Sequence, residues 1–376
     1  STIDLRAAKW IETKFKRLHL AVVKEGYTFH RPVSRTAMVS MKIDRINSRI
    51  LPGMPLLNAK PTGEYSIGGP LGFIGQDKTI PVIHIYVTPT SGTSRLRAES
   101  LQEFKTAVAS GRYRAVIGVT QGGYAGLVPL SIDLNRHYPT PAMLLSSDIG
   151  NFAEIYAEIN NPVKFNTQIR YERATAYNVI GKIAGTDQAS ASHPIVVIVP
   201  RSAWWSAAAE RGTGVTAMLL AAKVLKKEQH LKRPIYFVST TGQEYYLMGL
   251  QRFLQAHPAL LQNAYAWVYI GANIGTKPIP RYVIQFSSHQ IEKQLKLTIE
   301  DSSIQQKNIR WIFHPHALFP PLAKLFSHSP RTVFIAALNN RCERMTCDQW
   351  PETVNVDATL SFTQALTQFL TQLASE

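Results

Sequence analysis

Hydrophobic positions along this chain change period twice. From Leu5 through Ala8, Ile11, Phe15, Leu18 and Val22 they recur at helical spacing with lysines opposite, which predicts an amphipathic N-terminal helix over 5–25. From about 36 to 160 the pattern becomes short strands and turns. Gly68, Gly69, Pro70 and Gly72 mark tight turns, Ile80–Val87 and Tyr113–Thr120 read as strands, and Ser100–Ala109 reads as a helix ending at Gly111. From about 165 the rhythm is strand, helix, strand. Tyr177–Ile183, Pro194–Val199, Pro234–Ser239 and Ala264–Ile270 read as strands, with helices over Gly214–Lys226 and Leu247–Ala256 and a last amphipathic helix over Asp357–Leu373. That alternation predicts a mostly parallel, mixed sheet flanked by helices. The expected organisation is an N-terminal helix within 1–40 packing on the main domain, a smaller β-rich domain over 41–160, and the α/β domain over 161–376.

Charge alters the picture. Lysine and arginine exceed the acids by 41 − 25 = 16. Segment 1–50 holds eleven basic residues against four acids. Such a surface attracts an anionic polymer or a membrane surface, or it is a solvated basic face. Nucleic acid is not expected, since neither zinc-finger spacing nor an aromatic ribonucleoprotein signature is present. No run of eighteen or more apolar residues predicts a membrane-spanning helix. Cys342 and Cys347 are the only cysteines. They close a small disulfide loop, which would place the chain in an extracytoplasmic or periplasmic setting, or they are two reduced thiols.

Three segments then line up in order: Asn178–Thr186; Pro194–Trp205 followed by Glu210–Val215; and Ile235–Glu244 followed by Leu247–Gly249. Together they resemble the co-catalytic zinc aminopeptidase family, whose non-peptidase members include the transferrin receptor and nicalin. The resemblance covers roughly 165–376. Ahead of it, Gly69–Gly75, Glu103–Ile117 and Thr140–Leu145 resemble the protease-associated domain that this family often carries as an insertion.

The resemblance implies a site, and this chain departs from it. Active members hold two zinc ions on histidines and carboxylates and use a glutamate as general base. The first His-x-Asp motif falls on Arg201-Ser202-Ala203. The bridging aspartate falls on Glu210, the general base on Gln243 and the next ligand on Glu244. The following aspartate falls near Ala272, and the last histidine falls on Arg344. A guanidinium cannot bind zinc and an amide cannot accept a proton at neutral pH. The expectation is a non-catalytic relative without metal or other cofactor, acting through binding of a protein, peptide or anionic polymer as a receptor, scaffold or assembly subunit. Arg201 and Arg344 are expected to replace the metal charge by pairing with Glu210 and Glu244. Trp204 and Trp205 are expected either to line the cleft or to pack against the inserted domain.

Two further readings compete. The first is an active metal-dependent aminopeptidase with displaced ligands, for which His289, His314, His316 and His328 are the available imidazoles. The second is a basic surface-binding protein that uses its N-terminal region on membrane or nucleic acid. A serine hydrolase is not supported, since no Gly-x-Ser-x-Gly elbow is present.

Overall fold

The computed structural model describes residues 2–42, 47–87, 94–313, 320–329 and 331–376. In chain order the elements are α1 (Thr2–Arg17), β1 (Ala21–Lys42), β2 (Ser48–Pro52), β3 (Met54–Pro55), β4 (Ile67–Gly72), β5 (Ile80–Tyr86), α2 (Ser94–Ser110), β6 (Val116–Gln121), β7 (Ala142–Ser146), α3 (Ser147–Glu158) and β8 (Pro162–Ile183). There follow β9 (Ile195–Pro200), a π-helical turn (Ala208–Gly212), α4 (Thr213–Leu225), β10 (Ile235–Thr240), α5 (Met248–Ala256), α6 (Pro258–Asn263), β11 (Ala266–Ile270), β12 (Arg281–Phe286), α7 (His289–Glu300), β13 (Ile309–Phe313), α8 (Pro320–His328), β14 (Thr332–Leu338) and α9 (Val356–Ser375).

Two compact units result. The first comprises 1–28, 175–340 and 346–376, and the second comprises 29–174 and 341–345. The expected boundaries at 40 and 160 therefore move. The chain passes between units inside β1 and β8, each an unbroken strand of 22 residues. A boundary inside a strand leaves no loop signature for the sequence to reveal.

In the first unit the strands run in the order β13, β12, β14, β11, β9, β10, β8. β9, β10, β11 and β14 are mutually parallel, β8 runs against β10, and β12 runs against β14 but parallel to β13. The unbroken apolar run of β9 has a simple cause. Ile195, Val197 and Val199 face a core shared with α1, α4, α7 and α9, while Val196 and Ile198 face a second core shared with α5, α6 and α8. A strand covered on both faces has no solvent side to mark with polar residues.

Helix α1 belongs to this unit: Ala8, Ile11 and Phe15 enter its first core. The helix ends at Arg17, short of the expected 25. His19 adopts a left-handed φ of 54°, which ends the helical path, and Leu20 then turns into the core. The helical spacing of Leu18 and Val22 persists by coincidence into the first residues of β1. Phe15 lies flat on β8 because Gly181 lacks a side chain; a Cβ there would stand 2.8 Å from the ring.

In the second unit β4, β5, β6 and β7 are parallel neighbours and β3 pairs antiparallel to β7. The core of this unit is built from Val39, Leu51, Leu71, Ile80, Ile117, Val119, Met143 and Phe165. Cys342 and Cys347 are both disulfide-bonded.

Candidate functional site

Parallel strands deliver their side chains to the loops at their carboxyl ends, which is where sheets of this kind carry their chemistry. β9, β10 and β11 end at Pro200, Thr240 and Ile270. The positions singled out in the sequence follow directly: Arg201, Ser202 and Ala203 after β9, Gln243 and Glu244 after β10, and Ala272 after β11. The π-helical turn that opens α4 adds Glu210 and Arg211.

This turn is built around Asp348. The N–H groups of Arg211 and Gly212 both reach the carbonyl of Ala207, so the turn is wider than an α-helical one. The N–H groups of Ala209 and Glu210 donate instead to the two carboxylate oxygens of Asp348, at 2.9 and 2.8 Å. Thr353 Oγ1 donates to the same carboxylate at 2.6 Å and Asn340 Nδ2 at 3.3 Å. Asp348 is fully buried, and these donors are what make a carboxylate tolerable there. It fixes the direction in which Glu210 leaves the turn.

Glu210 points to its neighbour. Arg211 Nη2 stands 2.9 Å from Glu210 Oε1, and the two side chains are 7% and 3% exposed. Arg211 Nε donates to the carbonyl of Ser202 at 3.1 Å. Ser202 Oγ donates to Glu244 Oε2 at 2.7 Å and accepts the Gln243 N–H at 3.0 Å. Burial pushes the Glu244 carboxyl above its ordinary range; the positive charge of Arg211 and the Ser202 hydroxyl pull it part of the way back. Tyr269, at the end of β11, donates its hydroxyl to Gln243 Oε1 at 2.9 Å. That contact fixes the Gln243 amide as an acceptor toward the sheet. Burial raises the Tyr269 phenol as well, so it is a neutral donor.

Arg201 goes elsewhere, against expectation. Its side chain is 2% exposed and its Nη2 stands 3.2 Å from Asp4 of α1. Nη1 donates to the Ser239 carbonyl at 2.9 Å and Nη2 to the Tyr177 carbonyl at 2.6 Å. Thr241 Oγ1 donates to Asp4 at 2.7 Å. Burial lowers the Arg201 guanidinium from its usual value and Asp4 opposes that. Arg344 falls in segment 341–345 of the second unit with a left-handed φ of 61°. A cation beside the two glutamates is Arg211, which sequence reasoning passed over although it adjoins Glu210. Which of two nearby arginines faces the carboxylates is decided by the π-turn, and the π-turn by Asp348, 138 residues further on.

The remaining positions are quickly placed. Ala203 is half-buried beside Ser202. Ala272 precedes Asn273, which is buried, left-handed and bonded through its N–H to the Glu210 carbonyl at 3.1 Å. Trp204 packs edge-on to Tyr245 with centroids 6.1 Å apart, and Trp205 is exposed. His289 stacks on Phe313 and contacts Glu292, while His328 caps the carbonyl of Lys324. His314 and His316 lie outside the described residues.

The donor set does not fit a co-catalytic zinc pair. Zinc takes neutral imidazole, thiolate and carboxylate ligands. Here one carboxylate is already neutralised by a buried guanidinium and the other is held by a serine hydroxyl. Among the described residues no group of three or more His, Cys, Asp or Glu could hold a metal ion.

Comparison with known proteins agrees on the architecture. The model described as Peptidase family M28 matches residues 178–308, the stretch that carries Arg201, Glu210, Arg211, Gln243 and Glu244. A peptidase M28 precursor from Shewanella amazonensis superimposes over 100% of this chain and 89% of its own, with a TM-score of 0.76 at 16% identity. The fold is that of the M28 peptidases. A zinc aminopeptidase from Bacillus subtilis matches over 99% of this chain and 89% of its own (TM-score 0.74, 14% identity). An aminopeptidase from an Aneurinibacillus species matches over 100% and 89% (TM-score 0.65, 13% identity). No curated protein sequence matches the chain. The M28 fold thus carries, at its strand ends, a cluster in which Arg211 pairs with Glu210 and Ser202 bonds to Glu244.

Proposed function

We propose that this chain is a pseudo-peptidase: an M28 fold that binds a polypeptide and does not cleave it, serving as a receptor, scaffold or assembly subunit. The observation that carries the reading is the Arg211 guanidinium, held 2.9 Å from Glu210 and offsetting part of the rise that burial gives the Glu244 carboxyl. It supplies positive charge beside Glu210, the role that a divalent ion would otherwise fill. Gln243 at the general-base position points the same way, because an amide cannot take the proton of an attacking water. The half-buried Trp204 beside Tyr245, with Trp205 exposed, offers aromatic surface for a bound chain. We further read the second unit as protease-associated-domain-like, and the bonded cysteines support an extracytoplasmic or periplasmic setting.

The test is elemental analysis of the protein after dialysis against zinc, with aminopeptidase assays in zinc, cobalt and manganese. The expected result is substoichiometric metal and no turnover. One or two metals per chain with peptide hydrolysis would overturn the proposal in favour of an active enzyme with displaced ligands.

A further inference from the structure

Helix α1 is amphipathic twice over. Its inner face is the expected apolar stripe of Ala8, Ile11 and Phe15. Its outer face is neither plainly polar nor neutral. Ile3 is 77% exposed and Trp10 is 50% exposed, seven residues apart and so on one line along the helix. Arg6, Lys14 and Arg17 flank that line within about 50°, while Lys9 and Lys16 stand further round the helix. Lys14 Nζ lies 5.2 Å from the centre of the Trp10 ring. The two acids of the helix are directed elsewhere: Asp4 to Arg201 and Thr241, and Glu12 to Lys16 and Lys24 at 2.7 and 3.0 Å.

We propose that the outer face of α1 is a membrane-interface surface that docks on anionic phospholipid, with Trp10 and Ile3 entering the headgroup boundary and the flanking cations meeting lipid phosphates. A large aromatic ring ringed by lysine and arginine is the chemistry such interfaces select. A soluble polyanion would use the cations and gain nothing from exposed tryptophan and isoleucine. A purely structural helix would gain nothing from exposing them. The helix is braced for the task, because Asp4 ties its first turn to the loops after β9 and β10 while Phe15 seats its last turn on β8. Among the described residues no helix is long and apolar enough to cross a membrane, so contact through α1 is peripheral. This surface is independent of what the cleft does.

The test is partitioning of the whole chain onto phosphatidylcholine vesicles with and without phosphatidylglycerol, read by sedimentation and by Trp10 fluorescence against a Trp10→Phe variant. Binding is expected only with the anionic lipid, falling as salt rises, with a blue shift and quenching by brominated lipid that Trp10→Phe lacks. The paired change Arg6→Ala with Arg17→Ala should weaken partitioning by about fivefold per cation removed. The paired change Lys226→Ala with Lys227→Ala, equally exposed at the end of α4, controls for net charge and should have less effect. Equal losses from the two pairs, no Trp10 signal on bound vesicles, or binding to soluble heparin with none to vesicles would each overturn the proposal.

Discussion

Arg211 is surrounded by what it must neutralise. A guanidinium stays charged at any working pH, and this one has a side-chain exposure of 7% beside a glutamate of 3%. Removing one partner of a buried pair costs more than the pair contributed, because the other charge is stranded. Arg211→Ala is therefore expected to lower stability by about 3–5 kcal/mol, read from urea midpoints; a loss below about 1 kcal/mol would mean that Glu210 finds water instead. Glu244 makes the opposite forecast. Its ordinary value is 4.5 and burial raises it in the folded protein. Below 4.5 both folded and unfolded chains hold the proton and this group's contribution is complete. As pH rises toward the folded value the unfolded chain has released its proton and the folded one must follow, so stability is lost. Glu244→Gln keeps an acceptor for Ser202 and removes the titration. It should be more stable than the parent at neutral pH, with a flatter stability curve above pH 4.5. Equal slopes for the two proteins would show that Glu244 does not titrate differently on folding.

At the scale of elements, Asp4 is the pin of α1. It is 17% exposed, yet it compensates an arginine side chain that is 2% exposed. Asp4→Asn preserves shape and removes charge, which is expected to cost about 2 kcal/mol. Because that loss falls on one helix, amide exchange should accelerate over 5–12 while β9 to β11 keep their protection; uniform acceleration would instead mean global destabilisation. The same helix shows what sequence reading captures. Its inner stripe was legible because burial imposes a 3.6-residue period, and β9 was legible because cover on both faces removes every polar residue. Loops after β9 and β10 brought Arg201, Gln243 and Glu244 to one end of the sheet, as their positions after two buried strands imply. What failed was anything that depends on a distant partner. Asp4 and Arg201 are 197 residues apart, and no local pattern distinguishes an acid that will cross that gap from one that faces water. The end of α1 was missed for a related reason, since one left-handed residue at His19 overrides two apolar positions that continue the helical count.

The whole molecule carries a formal charge of +16 at neutral pH, and that excess works against compactness. Like charges are closer together in the folded chain than in the unfolded one, so their repulsion lowers the folding free energy. The ion pairs that could offset it are mostly superficial: Arg112 with Asp77 and Lys16 with Glu12 have at least one well-exposed partner, and such pairs contribute little. Salt discriminates between the two terms. The screening length falls from about 30 Å at 0.01 M to about 8 Å at 0.15 M, which removes long-range repulsion while the buried pairs at Arg201 and Arg211 are screened far less. The melting temperature is therefore expected to rise over that range, more steeply with sulfate than with chloride because sulfate also strengthens apolar burial. A melting temperature that falls with chloride would mean that exposed ion pairs outweigh the surplus of sixteen. The stability of this basic fold would then rest on its surface rather than on the two apolar layers that enclose β9.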